Sequence, residues 1–213
     1  MRESIIYSGV NKKEANFPLG IIKEFKKGQF VYHEQDRAFK LYKLKEGLLM
    51  MGSSLSSAKT NFTHFVQEGE FFGEEVLLDI QARGNSAQVL TNTVQVEEYS
   101  MNLLVDSADT QKIVRDNFVN HSTRVQHTLL RNCGMNLRSR LVSVLKEVGN
   151  GVGVTLVNGE QLIRTHLKHR ELAFLCNATR QSITTQLIEL SRAKYINIDK
   201  NSILLTNQLL TNF

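Results

Sequence analysis

Between residues 20 and 105 apolar and polar positions alternate in short runs. Gln29–Val31–Tyr32, Lys40–Leu44, Phe62–Phe65–Val66, Ala87–Leu90 and Val94–Val96 carry β-branched and aromatic residues. Turn residues separate them at Lys27–Gly28, Glu46–Gly47, Gly52–Ser53–Ser54, Glu68–Gly69–Glu70 and Arg83–Gly84–Asn85. Strands at roughly 8–12-residue spacing predict a sandwich or barrel. Ser53–Ser57 reads as a polar hairpin tip.

From residue 107 to 133 the period changes. Val114, Phe118, His121, Val125, Thr128/Leu129 and Asn132 step by three and four, forming one seam on a long helix with polar breaks at His121, Thr128 and Asn132. A narrow seam on a long helix pairs with another helix, and polar seam residues set its register. The seam therefore predicts a dimer interface; a helix packed on its own domain is the other reading. Gly134 ends this helix and Asn136 caps the next, Leu137–Val148, whose apolar face is Leu141, Val144, Leu145 and Val148. The chain thus divides into a β domain over 1–106, a long helix with a hinge over 107–135, and a third unit over 136–213. Gly149–Gly153 reads as a flexible loop, since no Lys follows at the spacing a phosphate-binding loop needs.

The third unit carries the sharpest pattern. Leu172, Ala173, Leu175 and Cys176 give a short helix starting near Lys168 an apolar face. Asn177 stands where a tight turn needs a left-handed residue, which Asn tolerates well. Thr179 is suited to cap a second helix, in which Ile183, Leu187 and Leu190 face inward while Arg180, Gln181, Thr184 and Thr185 face outward. Two short helices with such a turn make a helix-turn-helix. The exposed groups suit base edges: Arg binds guanine O6/N7 and Gln binds adenine N6/N7. Ile196 and Ile198, a turn at Asp199–Lys200–Asn201, then Ile203 and Leu205 add a β-hairpin, the wing of a winged helix, with Lys200 at its tip near phosphate.

Charge sharpens this reading. The 213 residues hold 26 basic and 21 acidic side chains, unevenly placed. Residues 1–106 carry 12 basic and 14 acidic groups, whereas 107–213 carry 14 and 7. A near-neutral front and a basic back fit a sensor joined to a polyanion binder. Cys133 and Cys176 are the two cysteines, too few for a disulfide framework; no Cys/His cluster predicts a metal site, and both are expected to be buried. No apolar run approaches a membrane span, and residues 1–20 lack the apolar core of a secretory signal. A reducing cytoplasm and no membrane partner are expected.

The order of parts resembles the CRP/FNR superfamily of bacterial transcription regulators over almost the whole chain. Phe25–Gln29 and Tyr42–Gly47 are similar to the first strands of its β-roll. Gly69–Glu70–Phe71–Phe72–Gly73–Glu74 matches its G-(D/E)-x-x-G-E segment, and Ser86–Ala87 its Ser-Ala pair. Thr179–Leu187 resembles its recognition helix, S-R-E-T-V-x-R-x-L. The resemblance implies an α+β fold: an N-terminal β-roll (a double-stranded β-helix), a long dimerisation helix and a C-terminal winged helix-turn-helix. It implies base reading by Arg180, Gln181 and Thr185, with Thr184 on the same face. Phosphate contacts fall to Thr179 and Ser182, with His169 and Arg170 as further backbone contacts. Thr185 stands where the best-known members have Arg, which implies a different operator. The implied effector pocket comprises Phe72, Gly73, Glu74, Arg83, Asn85, Ser86 and Ala87. Asn85 replaces the Arg that pairs with a cyclic phosphate, and a neutral amide cannot make that charge-assisted contact. Cyclic AMP is therefore not expected as cofactor, and the small-molecule effector is unassigned. The implied partners are double-stranded DNA, a second copy of the chain, and RNA polymerase, the last over Gly149–Arg164. Two other classes fit less well. A cupin-like metalloenzyme lacks its His cluster, His33 and His64 standing apart in the sequence. A ligand-binding roll whose winged helix contacts protein instead of DNA is the alternative function.

Overall fold

The computed structural model describes residues 19–56, 59–78, 80–100, 108–165 and 167–213. Among the described residues eight strands build the front unit: β1 (Ile21–Lys26), β2 (Phe30–Tyr32), β3 (Lys40–Glu46), β4 (Leu49–Ser56), β5 (Lys59–Val66), β6 (Phe71–Phe72), β7 (Ser86–Val89) and β8 (Thr93–Ser100). They form two antiparallel four-stranded sheets, ordered β1-β8-β3-β6 and β2-β7-β4-β5. Period-two alternation explains the packing: Val94 and Val96 point inward from β8, Thr93 and Gln95 outward. Between the sheets lie Tyr32, Tyr42, Leu44, Leu49, Met51, Phe72, Val89, Val94 and Val96. Gly47 turns at φ +95°, and a Cβ there would sit 2.7 Å from Thr91 Oγ1, so only glycine fits. The expected hairpin tip at Ser53–Ser57 is corrected: Ser53–Ser56 end strand β4, with Ser53, Ser54 and Ser56 opposite Asn61, Thr60 and Lys59, and Ser57 falls outside the described residues.

The β4–β5 part of the second sheet is buried on both faces. Register shifts between Met51 and Gly52, so Met51 faces His64 and Gly52 faces Phe62. That irregularity turns Phe62 to the outer face beside Phe65, their rings 4.6 Å apart. Leu48, Met50, Phe62, Phe65 and Leu90 form one hydrophobic cluster with the helices that follow.

Those helices are α1 (Ala108–Gly134), α2 (Leu137–Val152), α3 (His169–Leu175), α4 (Arg180–Arg192) and α5 (Asn207–Asn212). Asn136 Oδ1 accepts from the Ser139 amide at 2.9 Å, the expected cap of α2. The expected loop at Gly149–Gly153 is corrected: α2 runs on to Val152. Gly149 is buried, and a Cβ there would lie 2.6 Å from Gln161 Oε1. Close packing, not flexibility, accounts for that glycine. A third sheet, ordered β11-β12-β10-β9, joins β9 (Val154–Thr155), β10 (Gln161–Ile163), β11 (Ile196–Ile198) and β12 (Ile203–Leu205).

The seam expected on α1 is also corrected. His121 and Thr128 are buried against the chain's own core, with Thr110, Asn117 and Arg131. Arg131 donates to Glu147 Oε2 at 2.9 Å and lies over the Phe62 ring, tying α1 to α2 and the roll. Phe118 and Leu129 are 57% and 58% exposed, with Val125 and Asn132 half-buried. Phe118, Val125 and Leu129, with Ser122 between, form an apolar stripe beside the face of His121 and Thr128, open to solvent at Phe118 and Leu129. The side chain of Val114 lies outside what the structure describes. Cys133 is exposed, against expectation, while Cys176 is buried and its thiol is pushed up to about 12 by burial.

Candidate nucleic-acid interface and effector pocket

α3 and α4 meet at a turn in which Asn177 adopts φ +46° and the Ala178 amide donates to Ala173 O at 2.9 Å. Thr179 Oγ1 accepts from the Ser182 amide at 3.1 Å and caps α4. Ile183, Leu187 and Leu190 anchor α4 in the core. The opposite side leaves Arg180, Gln181 and Thr185 exposed on the first turn and a half. Thr184 is half-buried: its hydroxyl donates to Arg180 O at 2.9 Å and stands 2.8 Å from His169 Nδ1. Since the hydroxyl has one proton, His169 Nδ1–H is the donor in that second bond. Thr184 and His169 therefore cross-tie the two helices and hold the angle at which α4 is presented.

Thr179 is exposed and Ser182 half-buried, their hydroxyls 2.8 Å apart. Arg170 is exposed at the start of α3, and Lys200 is exposed on the hairpin closed by the Asp199 amide and Ser202 O at 2.9 Å. Glu171 caps α3 through the Lys168 amide and pairs with Lys27 of the roll at 3.2 Å. A cleft of about 1250 Å³ opens between the roll and the winged helix, lined by Gln88, Lys168, His169, Arg170 and Arg180 among others.

The second site lies inside the roll. Gly73, Glu74 and Asn85 reach a cavity of about 310 Å³ against α1. Phe72 does not: it is wholly buried and stacked on Tyr42 at 5.2 Å. Ser86 Oγ accepts from the Glu34 amide at 2.8 Å, and Ala87 is buried beside Met51. Arg83 is 1% exposed. Its Nη1 donates to Gly73 O at 2.8 Å and Glu75 Oε2 at 2.9 Å, its Nη2 to Lys40 O at 2.5 Å, and its guanidinium lies 4.4 Å from the Tyr32 ring centroid. Gly73 makes room for it: a Cβ there would lie 2.6 Å from Nη1. Phe72, Arg83, Ser86 and Ala87 thus serve the frame of the pocket rather than its wall.

Five wall residues escaped the motif reading: Tyr32, Met51, His64, Ser122 and Glu75. Phe118, His121 and Val125, expected in a dimer seam, also line it. His121 Nδ1 stands 3.0 Å from Glu74 Oε1. Burial opposes the charge on Glu74, but the hydrogen bond and charge of His121 outweigh it, and the carboxyl sits below its usual range. His121 Nδ1–H is accordingly the donor. His64 is 4% exposed and stacks on His121 at 4.6 Å. Burial first, then His121 and Arg124, pull His64 down to about 3, so it is neutral. Burial and the nearby Glu75 carboxylate raise the Tyr32 phenol. Among the described residues no group of three His, Cys, Asp or Glu side chains is placed to hold a metal ion, and no helix is long and apolar enough to cross a membrane.

Residues 22–102 match the family model of the cyclic nucleotide-binding domain. No curated protein matches the sequence significantly. Among solved structures, the CRP-family transcriptional regulator TTHB099 of Thermus thermophilus superposes with a TM-score of 0.74 at 22% identity, over 86% of this chain and 91% of its own. The CRP/FNR-family regulator TTHA1359 of the same organism gives 0.72 at 22% identity, over 89% and 96%. FixK2 of Bradyrhizobium japonicum gives 0.77 at 14% identity, over 91% and 96%. The front unit is of the cyclic nucleotide-binding type, and about nine tenths of the chain superposes on the fold of CRP/FNR-family regulators, as its motifs implied.

Proposed function

We propose that this chain, built on the CRP/FNR-family fold, is a sequence-specific DNA-binding transcription regulator that acts as a homodimer and is not an enzyme. One observation carries the reading: Arg180, Gln181 and Thr185 stand exposed on the opening turns of a helix whose other face is locked in the core. A guanidinium and a carboxamide so placed can read guanine and adenine in the major groove. Arg170 and Lys200 add charge for the phosphates on either side.

The dimer is supported by Phe118, Val125 and Leu129, an apolar stripe on a helix of about 40 Å. A second copy covers it and places two reading helices about 34 Å apart, one turn of B-DNA. The same helix forms one wall of the pocket, so an occupant of the roll bears directly on the seam. The effector shifts the population between dimer states. Cyclic AMP is not that effector: Asn85 offers no charge, and Arg83 is buried and committed to Gly73, Glu75 and Lys40. RNA polymerase is the further partner we propose, meeting the exposed β9–β10 hairpin around Val154 and Val157.

The test is Arg180→Ala. Selected duplexes should bind with a steep salt dependence. The variant should lose about 1–3 kcal/mol and its preference at one base position, with unchanged thermal stability because Arg180 is exposed. Full specificity in that variant refutes the assignment of α4.

A further inference from the structure

We infer that Thr185 and Ile188 form an apolar patch on α4 that selects thymine by its 5-methyl group, in the duplex that Arg180 and Gln181 read. The inference deepens the proposed function, since it rests on reading α4 as the helix that enters the major groove.

An exposed isoleucine by itself means little, because apolar atoms make up much of any protein surface. Ile188 is 47% exposed, and its place on the helix is what matters. Ile183, Leu187 and Leu190 face the core. At about 100° per residue, the side opposite that triad is occupied by Gln181, Thr185, Ile188 and Arg192, and all four are exposed. Ile188 thus stands in line with the residues proposed to read bases. From Gln181 to Ile188 the axis advances by about 10 Å, at about 1.5 Å per residue. That is close to three base-pair rises of about 3.4 Å. A helix laid along the groove therefore offers the carboxamide, the threonine and the isoleucine to successive base pairs.

Thr185 is apolar toward the groove in spite of its hydroxyl. Its Oγ1 donates to Gln181 O at 3.3 Å, and a hydroxyl has one proton to give. The oxygen is turned back on the backbone, and the γ-methyl is left to meet a base. The carboxylate of Glu189 is held to one side, where Gln186 Nε2 on the half-buried flank donates to its Oε2 at 2.9 Å. The middle of the reading face consequently presents two hydrocarbon groups, between the amide of Gln181 and the guanidinium of Arg192.

Among the four bases, thymine alone carries a methyl group in the major groove, and apolar side chains pack on it. Against cytosine or guanine the same patch would cover a polar edge that it cannot satisfy, and an unmet buried donor or acceptor is costly. Contact with the right base and exclusion of the wrong ones act together.

The experiment uses the full chain and a duplex selected from a random pool, with the thymines of one half-site replaced one at a time by deoxyuridine. Each replacement removes a methyl and leaves every hydrogen-bonding group in place. At one thymine or more it should weaken binding about fourfold, the worth of one buried methyl. There Ile188→Ala should bind the thymine and deoxyuridine duplexes alike. Thr185→Ser keeps the hydroxyl and removes the γ-methyl, and should shrink the penalty. The deoxyuridine comparison in the unaltered chain stands whatever a variant does to folding, and thermal melts of both variants check that they fold. Thymine selection by this patch is refuted if the selected duplexes fix no thymine, if no replacement carries a penalty, or if either variant keeps the full penalty. In those cases Arg180→Ala still decides whether α4 reads bases. A chain that selects no duplex at all overturns the reading of α4, and this inference with it.

Discussion

Replacing Arg83 with Met separates two roles that this side chain can be given. As a ligand for an effector phosphate, it would be dispensable for folding. As a staple, it would not. The geometry favours the staple: two carbonyls, Gly73 O and Lys40 O, and the Glu75 carboxylate all accept from it, and Tyr32 lies beneath it. Met keeps most of the volume and removes every donor. Removing one partner of a buried pair costs ~3–5 kcal/mol. Glu75 is 15% exposed and keeps a bond from the Gly84 amide at 3.2 Å, which points to the lower end, about 3 kcal/mol. For a chain of this length that lowers Tm by roughly 6–12 °C. Lysine should recover little, because one ammonium cannot reach three acceptors held by a planar fork. Urea unfolding followed by circular dichroism should show a lower midpoint at an unchanged slope. A loss of less than about 1 kcal/mol in Arg83→Met would refute the staple and free the guanidinium for an anion.

Three further outcomes concern stability, and a fourth concerns assembly. Thr179→Ala should cost ~1 kcal/mol through loss of the α4 cap, whereas Thr179→Ser should not, as thermal melts of both will show. Asn177→Val should cost ~1–2 kcal/mol because a β-branched residue resists the positive φ at this turn, and Asn177→Gly should be tolerated. His64 is held neutral in the fold down to about 3 but titrates near 6.5 when unfolded, so its stabilisation is complete above pH 6.5 and is lost progressively as pH falls toward 3; His64→Phe should flatten urea midpoints over that window. Leu129→Asp places charge in the apolar stripe of α1 and should shift sedimentation from dimer to monomer.

The helix-turn-helix was legible almost residue by residue, because each of its signals is local. A cap at Thr179, a left-handed Asn177 and an inward triad at Ile183, Leu187 and Leu190 are read within a few positions of one another. The roll was legible as alternation, since Val94 and Val96 announce their face without reference to a partner. The pocket was not. His64 and His121 are 57 positions apart and meet only when α1 lies across β5. Nothing local to His64 distinguishes it from a surface histidine. The seam of α1 was misplaced for a related reason: a stepping by three and four fits two adjacent faces, and the roll's choice of His121 and Thr128 decides between them. Gly149 was misread because its tight neighbour, Gln161, comes from another element.

The cluster that runs from Phe62 and Phe65 through Leu141 and Leu145 to Ile183 and Leu187 belongs to neither half alone. An isolated winged helix would present a greasy scar where the sheet had been, and should precipitate or demand solubilising mutations. Modular exchange is constrained in the same way: grafting a foreign sensor onto this reading head would require re-cutting the aromatic and aliphatic side chains at the join, so new specificities in such a lineage should arise by altering pocket walls rather than by swapping whole units.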